Sequence, residues 1–461
     1  WEREALEELA RTRPSELVEL ILQQRQMLAQ QARAMAVLEE RVGQLEEALR
    51  QSGGGGSGAA PFRREPQERK TERKRPGRAP GHRGEFRAAP EQIDRTIEVP
   101  LEQCPGCGGA LTQTTPLMQT IIELPEVRPI VVRLITQRAR CPHCARRVQS
   151  SHPLQVSAAG RGVAGTQLGP RALASAALLR HGVGLTLSSC CAVLDKLLAL
   201  PVSRGGLCQA LDRLAERMSG RYEQLAGQLA QAPVVHADET SWWLQNQRST
   251  LWVFATPKHT LYRVVEHRDR ATLQETIAPD YPGVLVSDCL SIYDEATARQ
   301  HKCYAHHLKA IRLAQASRAS PSGWLQRVEA LLKNAIALGK ERAQLDPAQW
   351  ARRRRALELA AHAVLEETPR PCVQEEAVRR RLWKQRDHLF VFLEEPGIDA
   401  TNNLAERQLR PAVIRRKLSC GNKTRRGART FEVLTSLAAT CRQRKEDFLQ
   451  MALASAPFQP A

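Results

Sequence analysis

Two short apolar runs of the chain each end in a carboxylate. Residues 232–243 read APVVHADETSWW, so Asp238 and Glu239 follow one run, and residues 284–294 read VLVSDCLSIYD, so Asp288 follows another. Such runs predict buried strands, and carboxylates that meet at buried strand ends repel each other unless a cation joins them. Two divalent ions about 4 Å apart can activate an attacking oxygen and stabilise the leaving oxygen of a phosphodiester. The two runs therefore predict a divalent-metal site on Asp238 and Asp288.

A third carboxylate for such a site is expected on a helix. Residues 397–428 read GIDATNNLAERQLRPAVIRRKLSCGNKTRRGA, which places Glu406 on a predicted helix that begins near TNN with an Asn cap. Glu406 is the favoured third ligand, and Asp399 in the preceding loop is the alternative. The same segment carries basic side chains that we expect to bind nucleic-acid phosphates, namely Arg407, Arg410, Arg415, Arg416 and Lys417.

The segments between these acids predict the sheet that positions them. Two β-rich runs, TLWVFATP and HTLYRVVEH, follow the first acidic run, and a helical segment, RDRATLQETIA, precedes the strand that leads to Asp288. A further strand is predicted in HKCYAHHLKAI. Three antiparallel strands, a helix, and then strands parallel to the first are the order of a ribonuclease H-like fold. In that order the ends of strands one and four are neighbours, so Asp238 and Asp288 are expected to face each other.

Two pairs of cysteines predict a structural zinc site. CPGCGG supplies Cys104 and Cys107, and CPHC supplies Cys141 and Cys144. Four thiolates complete the tetrahedral shell that structural Zn²⁺ prefers and leave no open position for catalysis. Residues 119–138, between the pairs, predict a β-hairpin. His143 is expected to be a bystander.

The N-terminal part of the chain predicts an oligomerisation helix and a basic arm. Residues 17–49 carry a heptad seam in which eight of ten core positions are apolar, which favours a coiled coil over a single amphipathic helix. Residues 62–87 contain ten Arg or Lys residues against four acids, with several Pro and Gly. This composition does not fold alone, so the segment is either a solvated linker or an arm that binds DNA phosphates through residues such as Arg73, Lys74 and Arg75.

The overall composition favours a nucleic acid as the partner. The 461 residues include 68 Lys or Arg against 49 Asp or Glu, which gives a formal net charge of +19. A membrane protein is not expected, because no run of about eighteen apolar residues occurs. The start of the sequence lacks the core of a signal peptide, so a cytoplasmic, nucleoid-associated location is predicted.

Segment by segment, the sequence predicts a multidomain α/β protein. Residues 165–230 contain a helix, a short turn and a second helix, which fits either a DNA-reading helix-turn-helix or an ordinary helical hairpin. Residues 310–391 are charged and helical in composition, which predicts an all-α insertion in the core. The predicted domains are a coiled coil (1–50), a basic linker (51–92), a zinc ribbon (93–155), a helical DNA-binding domain (156–230), a ribonuclease H-like core in two parts (231–309 and 392–461) and the insertion (310–391).

These motifs together resemble those of a known family. HADETSW, LVSDCLSIYD, KCYAH and above all TNNLAERQLRPAVIRRKLSCG are similar to the motifs of the insertion-sequence family 66 transposases, a bacterial DDE group. The coiled coil, the RPGRAPGHRG segment, the cysteine pairs and the helical region follow that family's order, so the resemblance covers nearly the whole chain. One departure is the loop CGNKTRRGARTF, which is more basic than the family's usual version.

The resemblance implies the residues and the reaction. Asp238, Asp288 and Glu406 would be the triad that binds Mg²⁺ or Mn²⁺, with Asn402 and Asn403 supporting it. Water would attack the phosphodiester at a transposon end, and the freed 3′-hydroxyl would then attack target DNA. The partners implied are double-stranded DNA, further copies of the chain and possible accessory proteins of the same element.

The sequence leaves two alternative functions open and contains one further motif. A catalytically silent DNA-binding protein derived from such a transposase is one alternative, and a metal-dependent nuclease of the same fold is another. Retention of all three acids disfavours the silent protein, whereas a coiled coil that pairs two DNA ends favours the transposase over the nuclease. Cys303 and His306 form a C-x-x-H motif for which we expect a structural role rather than direct metal binding.

Overall fold

The computed structural model describes the part of the chain on which the predicted chemistry depends. It covers residues 91–157 except 114, residues 167–457 except 295, 297, 298, 319 and 368–371, and isolated positions before residue 91. The chain divides into two compact units, Trp1–Ile122 and Glu123–Ala461. Most of the predicted coiled coil, and Arg73, Lys74 and Arg75 of the basic segment, lie outside the described residues.

The cysteine-rich region contains little regular structure. In the first unit, an isolated antiparallel bridge joins Gln103 to Ala110 around the first cysteine pair. In the second unit, β1 (Arg138–Arg140) and β2 (Arg147–Gln149) form an antiparallel hairpin around the second pair. The β-hairpin predicted for residues 119–138 is wrong, because residues 115–137 form no strand. Pro125 and Pro129 lack the N–H groups that a strand ladder needs, which accounts for the difference.

A helical region precedes the main sheet. It consists of α1 (Pro170–Ala177), a π-helical segment (Leu178–Val183), α2 (Leu187–Leu198) and α3 (Arg204–Ala230). Hydroxyl side chains cap two of these helices: Thr186 accepts the N–H of Ser189 at 3.1 Å, and Ser203 accepts the N–H of Gly206 at 3.1 Å. The helix-turn-helix arrangement predicted from the sequence therefore corresponds to α2 and α3, separated by a five-residue connection.

The main sheet is mixed and has five strands. They are β3 (Val234–Leu244), β4 (Gln247–Thr256), β5 (His259–Val265), β6 (Val284–Ser287) and β7 (Gln300–Lys302), with α4 (Arg270–Thr276) between β5 and β6. Their order is β5-β4-β3-β6-β7. Strands β3, β4 and β5 are antiparallel neighbours, whereas β6 is parallel to β3 and β7 is parallel to β6.

A helical segment and three further helices complete the second unit. The segment contains α5 (Tyr304–Ala316), α6 (Gly323–Glu341), α7 (Pro347–Glu366), α8 (Val373–Lys384) and α9 (Val391–Glu394). It is followed by α10 (Asn403–Ser419), α11 (Arg425–Arg444) and α12 (Phe448–Ser455). In the described part of the chain, no helix combines the length and apolarity needed to cross a bilayer.

Alternation along the strands divides the core between the two faces of the sheet. Ala237 and Trp252 belong to one buried cluster, which also contains side chains of α1, α2 and α3. Trp242 and Leu251 belong to another, with α10 and α11. A third cluster joins Val286 to α5, α6, α7 and α8. The helical region before the sheet thus shares a core with it, and the later helices pack beside β6.

Helix α11 covers the edge of the sheet that β5 forms. Thr440, Ser436 and Glu432 each accept a backbone N–H of β5, from Thr260 at 3.0 Å, Tyr262 at 2.9 Å and Val264 at 2.6 Å. Four helical residues rise about 6 Å, and two strand residues span about 6.8 Å, so the two spacings nearly match. An edge that could pair with another chain is therefore satisfied within this one.

Candidate active site

The acidic pair at the end of the first apolar run is divided between the two faces of the sheet. Asp238 and Glu239 are consecutive in β3, so their side chains point in opposite directions. The Glu239 carboxylate accepts hydrogen bonds from the guanidinium of Arg268 and the hydroxyl of Tyr293. Asp238 Oδ1 accepts only the backbone N–H of Glu239, at 2.9 Å, among the hydrogen bonds described for it. The local arrangement thus leaves Asp238 as the carboxylate able to bind a ligand.

Strand register brings Asp288 beside Asp238. Val234, Val235 and His236 lie opposite Val284, Leu285 and Val286 in the parallel pairing of β3 with β6. The same offset of fifty residues, continued two positions, places Asp288 next to Asp238. Asp288 lies just beyond the end of β6, and its Oδ1 accepts the N–H of Leu290 at 3.0 Å.

A buried asparagine fixes the helix that carries the third acid. Asn402 is 1% exposed. Its Nδ2 donates to the carbonyl of Ala237 at 2.7 Å, its Oδ1 lies 3.1 Å from Nδ1 of His236, and its backbone N–H donates to Cys303 Sγ at 3.2 Å. Glu406 lies one turn along α10, where its N–H donates to the Asn402 carbonyl at 3.2 Å. Asn402 therefore ties the start of α10 to the residues of β3 immediately before Asp238.

The predicted helix cap has a different role in the structure. Asn402 occupies the N-cap position of α10, but its side chain makes no capping hydrogen bond. Its side-chain amide binds β3 instead. A buried amide without a hydrogen-bond partner would be costly, so this contact takes precedence over the cap. The sequence located this residue correctly and missed its long-range partner.

The carboxylates of this site interact through space. Burial raises the pKa of Asp238 to about 8, and the negative charges of Glu239, Asp288 and Glu406 add to the rise. The pKa of Glu239 is also raised, chiefly by burial. Neighbouring carboxylates in a partly buried place form a site that a hard divalent cation would neutralise, and their oxygens are the ligands that Mg²⁺ and Mn²⁺ prefer.

A buried lysine near the acids was not predicted from the sequence. Lys302 in β7 is fully buried, donates from Nζ to Ser287 Oγ at 3.1 Å, and lies 5.4 Å from the centre of the Tyr293 ring. Burial lowers the pKa of Lys302 to about 8. A lysine within the short strand QHK was the available signal, since lysine is rarely buried without a partner. Its ammonium group offsets part of the negative charge around Asp288.

The basic residues predicted on α10 occupy different environments. Arg407, Arg410 and Lys417 are exposed. Arg416 is partly buried and donates to Thr240 Oγ1 at 2.9 Å, and so binds β3. Arg415 is buried, donates to Thr435 Oγ1 at 3.3 Å and lies 4.8 Å from the centre of the Phe431 ring. The exposed members of the set are therefore the ones accessible to a partner.

A second group of potential metal ligands includes Glu406. Cys303 Sγ, a ring nitrogen of His306 and a carboxylate oxygen of Glu406 all lie within 4.8 Å of one another. Cys303 is the N-cap of α5, and His306 lies in its first turn. The C-x-x-H motif thus lies directly beside the third acid of the predicted triad.

In each cysteine pair, backbone N–H groups point at the sulfur of the first cysteine. Backbone N–H groups of Gly106 and Cys107 lower the pKa of Cys104, and those of Cys144 and His143 lower the pKa of Cys141. A residue with positive φ follows each second cysteine. Donors that point at sulfur favour the thiolate, which is the form that binds metal. His143 contributes its backbone to this arrangement.

Comparison with known proteins identifies the family. None of the curated proteins compared with the chain matches it. The model of the family described as "Transposase IS66 family" matches residues 165–430, which are more than half of the chain. The match contains the five-stranded sheet, the helical segment and the start of α11, and therefore Asp238, Asp288 and Glu406. The resemblance recognised in the sequence is thus confirmed, and the chain belongs to the IS66 family of transposases.

Proposed function

We propose that the chain is a DDE transposase whose catalytic residues are Asp238, Asp288 and Glu406. The observation that carries the proposal is that β3, the end of β6 and the first turn of α10 bring these three acids near one another. The charges of Asp288 and Glu406 add to the effect of burial on the pKa of Asp238, which supports this proximity. Family membership supports a transposase function and DNA binding. The sheet order, with three antiparallel strands followed by two parallel ones, supports a ribonuclease H-like core with the helices of residues 310–391 as its insertion.

The proposed reaction consists of two in-line displacements at phosphorus. Water attacks the phosphodiester at a transposon end, and the freed 3′-hydroxyl then attacks target DNA. Bound Mg²⁺ or Mn²⁺ would supply charge neutralisation for the attacking and leaving oxygens. The protein's contribution is to hold the acids in place, with Asn402 fixing Glu406 against β3, and to bind the DNA backbone through exposed Arg407, Arg410 and Lys417.

The proposal extends to the parts of the chain that lead to the core. We infer that Cys104, Cys107, Cys141 and Cys144 bind a structural Zn²⁺, which the N–H groups aimed at Cys104 and Cys141 support. We further infer that the coiled coil pairs copies of the chain and that the arm containing Arg73, Lys74 and Arg75 binds DNA.

A cleavage and joining assay tests the proposed function. Purified protein is incubated with Mn²⁺ and a supercoiled plasmid that carries the element's own ends, beside the variants Glu406→Gln and Asp399→Asn. We expect cleaved and joined products from the unmodified protein and from Asp399→Asn, and none from Glu406→Gln.

Each other outcome has a separate meaning. Loss of activity in Asp399→Asn but not in Glu406→Gln would make Asp399 the third ligand. Cleavage without joining would indicate a nuclease. Binding of the ends without cleavage by any of the proteins, with accessory proteins supplied, would refute the catalytic proposal and favour the silent DNA-binding protein.

A further inference from the structure

We propose that Cys303, His306 and Glu406 form a second divalent-metal site, selective for thiophilic ions such as Zn²⁺, that competes with the catalytic site for Glu406. This proposal differs from the structural role that we expected from the sequence for the C-x-x-H motif. The competition rests on the proposed function, since it requires Glu406 to be a catalytic ligand. The binding of the thiophilic ion does not rest on it.

The spacing of the three donors fits a zinc ion after a small adjustment. The donor atoms lie within 4.8 Å of one another. In a tetrahedral zinc site with ordinary bond lengths, a sulfur and a nitrogen ligand are about 3.6 Å apart. The donor separations therefore exceed this spacing by at most roughly 1 Å, which lies within the range of a side-chain rotation. Glu406 is the member able to make it, because its carboxylate ends a long side chain on a helix surface.

The other two donors are held in place by the fold. Cys303 and His306 are three residues apart at the start of α5, so their side chains share one face of the helix. The N–H of Asn402 donates to Cys303 Sγ at 3.2 Å, and the N–H of Tyr304 donates to the carbonyl of Ala400 at 2.9 Å. The contacts that position Glu406 for the acidic site therefore also position the thiol beside it.

An unsatisfied ring nitrogen points to a ligand. Nδ1 of His306 is buried and has no hydrogen-bond partner among the described residues. A buried polar atom without a partner costs about 1 to 3 kcal/mol. A metal ion bound to the imidazole fixes which ring nitrogen carries a proton. It would thus give the ring a defined role that its present contacts do not provide.

The donor set determines which ions bind at each of the two places. Thiolate and imidazole select Zn²⁺ and similar ions, whereas Asp238 and Asp288 offer only carboxylate oxygens, which suit Mg²⁺ and Mn²⁺. Glu406 is shared between the two places, because its carboxylate lies within 4.8 Å of the donor atoms of Cys303 and His306 and its negative charge adds to the effect of burial on the pKa of Asp238. When Zn²⁺ holds Glu406 at the Cys303 side, the acidic site loses its third ligand. Zinc is therefore expected to inhibit the catalytic reaction.

Zinc content tests the site without reference to activity. Each full-length variant is equilibrated with Zn²⁺ and its bound metal is counted. Cys303→Ser and His306→Gln are each expected to bind one zinc ion per chain fewer than the unmodified protein. Cys289→Ser is the matched control, since Cys289 Sγ lies 3.5 Å from Nε2 of His307 and this cysteine–histidine pair belongs to no group of three potential metal ligands in the described part of the chain. It should bind as much zinc as the unmodified protein.

Inhibition tests the competition for Glu406. Zinc added to the Mn²⁺-dependent cleavage reaction should inhibit the unmodified protein, and His306→Gln should require about tenfold more zinc or higher for the same inhibition. Equal zinc content in all three variants and the unmodified protein would overturn the proposed site. If the zinc contents differ as expected but no protein cleaves DNA, the proposed function fails and the zinc site stands.

Discussion

Replacing Asp238 with Asn is expected to stabilise the protein in the absence of divalent cations. Burial and the neighbouring carboxylates raise the pKa of Asp238 from 3.8 to about 8. Between these values the unfolded chain releases the proton and the folded chain keeps it, so the free energy of unfolding decreases as the pH rises from about 4 to about 8. Asn has no proton to release, and its Oδ1 can still accept the N–H of Glu239. The substitution should therefore remove the cost and keep the hydrogen bond.

The size of the effect follows from the shift. At pH 7 the pH lies about three units above the pKa of the unfolded state and still below that of the folded state. Each of these three units lowers the free energy of unfolding by about 1.4 kcal/mol, which gives an upper limit of about 4 kcal/mol. The site is partly open to solvent, which screens the charges, so we expect roughly 2 to 4 kcal/mol. Urea unfolding, followed by circular dichroism at about pH 5, 7 and 8, measures the difference, which should decrease toward the lowest pH.

Mg²⁺ and a second acid serve as controls. Mg²⁺ should stabilise the unmodified protein and not Asp238→Asn, because only the former has the complete set of ligands. Burial alone would raise the pKa of Asp294, but hydrogen bonds from Lys384 at 2.6 Å and Gln385 at 3.0 Å hold it below its usual value. Asp294→Asn should therefore destabilise the protein at neutral pH, and this loss should shrink as the pH falls. A less stable Asp238→Asn at pH 8, or a gain that does not change with pH, would refute the reasoning.

Four further substitutions test the surroundings of the site and the cysteine pairs. Asn402→Ala should lower the free energy of unfolding by about 2 to 3 kcal/mol and reduce end cleavage, because it leaves buried polar groups unpaired; unchanged urea unfolding would contradict this. Gly421→Ala should destabilise the protein by about 2 kcal/mol or more, because φ is +83° there and a Cβ would lie 2.2 Å from the carbonyl oxygen of Trp243. Gly220→Ala, where a Cβ meets nothing within 4 Å, should be neutral or stabilising when both glycine variants are compared by thermal unfolding. Cys104→Ser should release the zinc predicted on the cysteine pairs, measured by metal analysis, and leave the far-ultraviolet signal of the main helices unchanged.

The loop that contains Gly421 shows why the end of β3 depends on distant residues. Asn422 donates its N–H to the carbonyl of Trp243 at 2.8 Å and accepts the indole N–H of Trp242 at 2.9 Å. This loop begins the basic segment CGNKTRRGARTF, and the prediction that the whole segment is a loop is wrong, because its residues from Arg425 onward belong to α11. The backbone of this loop holds the end of β3 in place, whereas the side chain of Lys423 is exposed.

The sequence by itself determined the properties that depend on local patterns. Alternation and apolar runs predicted the strands that end near Asp238 and Asp288, and the motif around Glu406 located the helix that carries the third acid. The family was recognised from these motifs and is confirmed. Such features are accessible because periodicity and motif spacing are set within about ten residues of chain. The same reasoning failed for residues 119–138, where an apolar pattern predicted a hairpin and two prolines interrupt it.

Only the tertiary structure decided which side chains meet. Asp238 and Glu239 are adjacent and chemically alike. Arg268 and Tyr293, on one face of the sheet, donate hydrogen bonds to Glu239, which leaves Asp238 for the proposed metal site. Asn402 has cap chemistry in the sequence but binds β3 in the fold. Burial and hydrogen bonding of these groups depend on residues from about 30 to about 170 positions away, and desolvation acts only once those residues have packed around them.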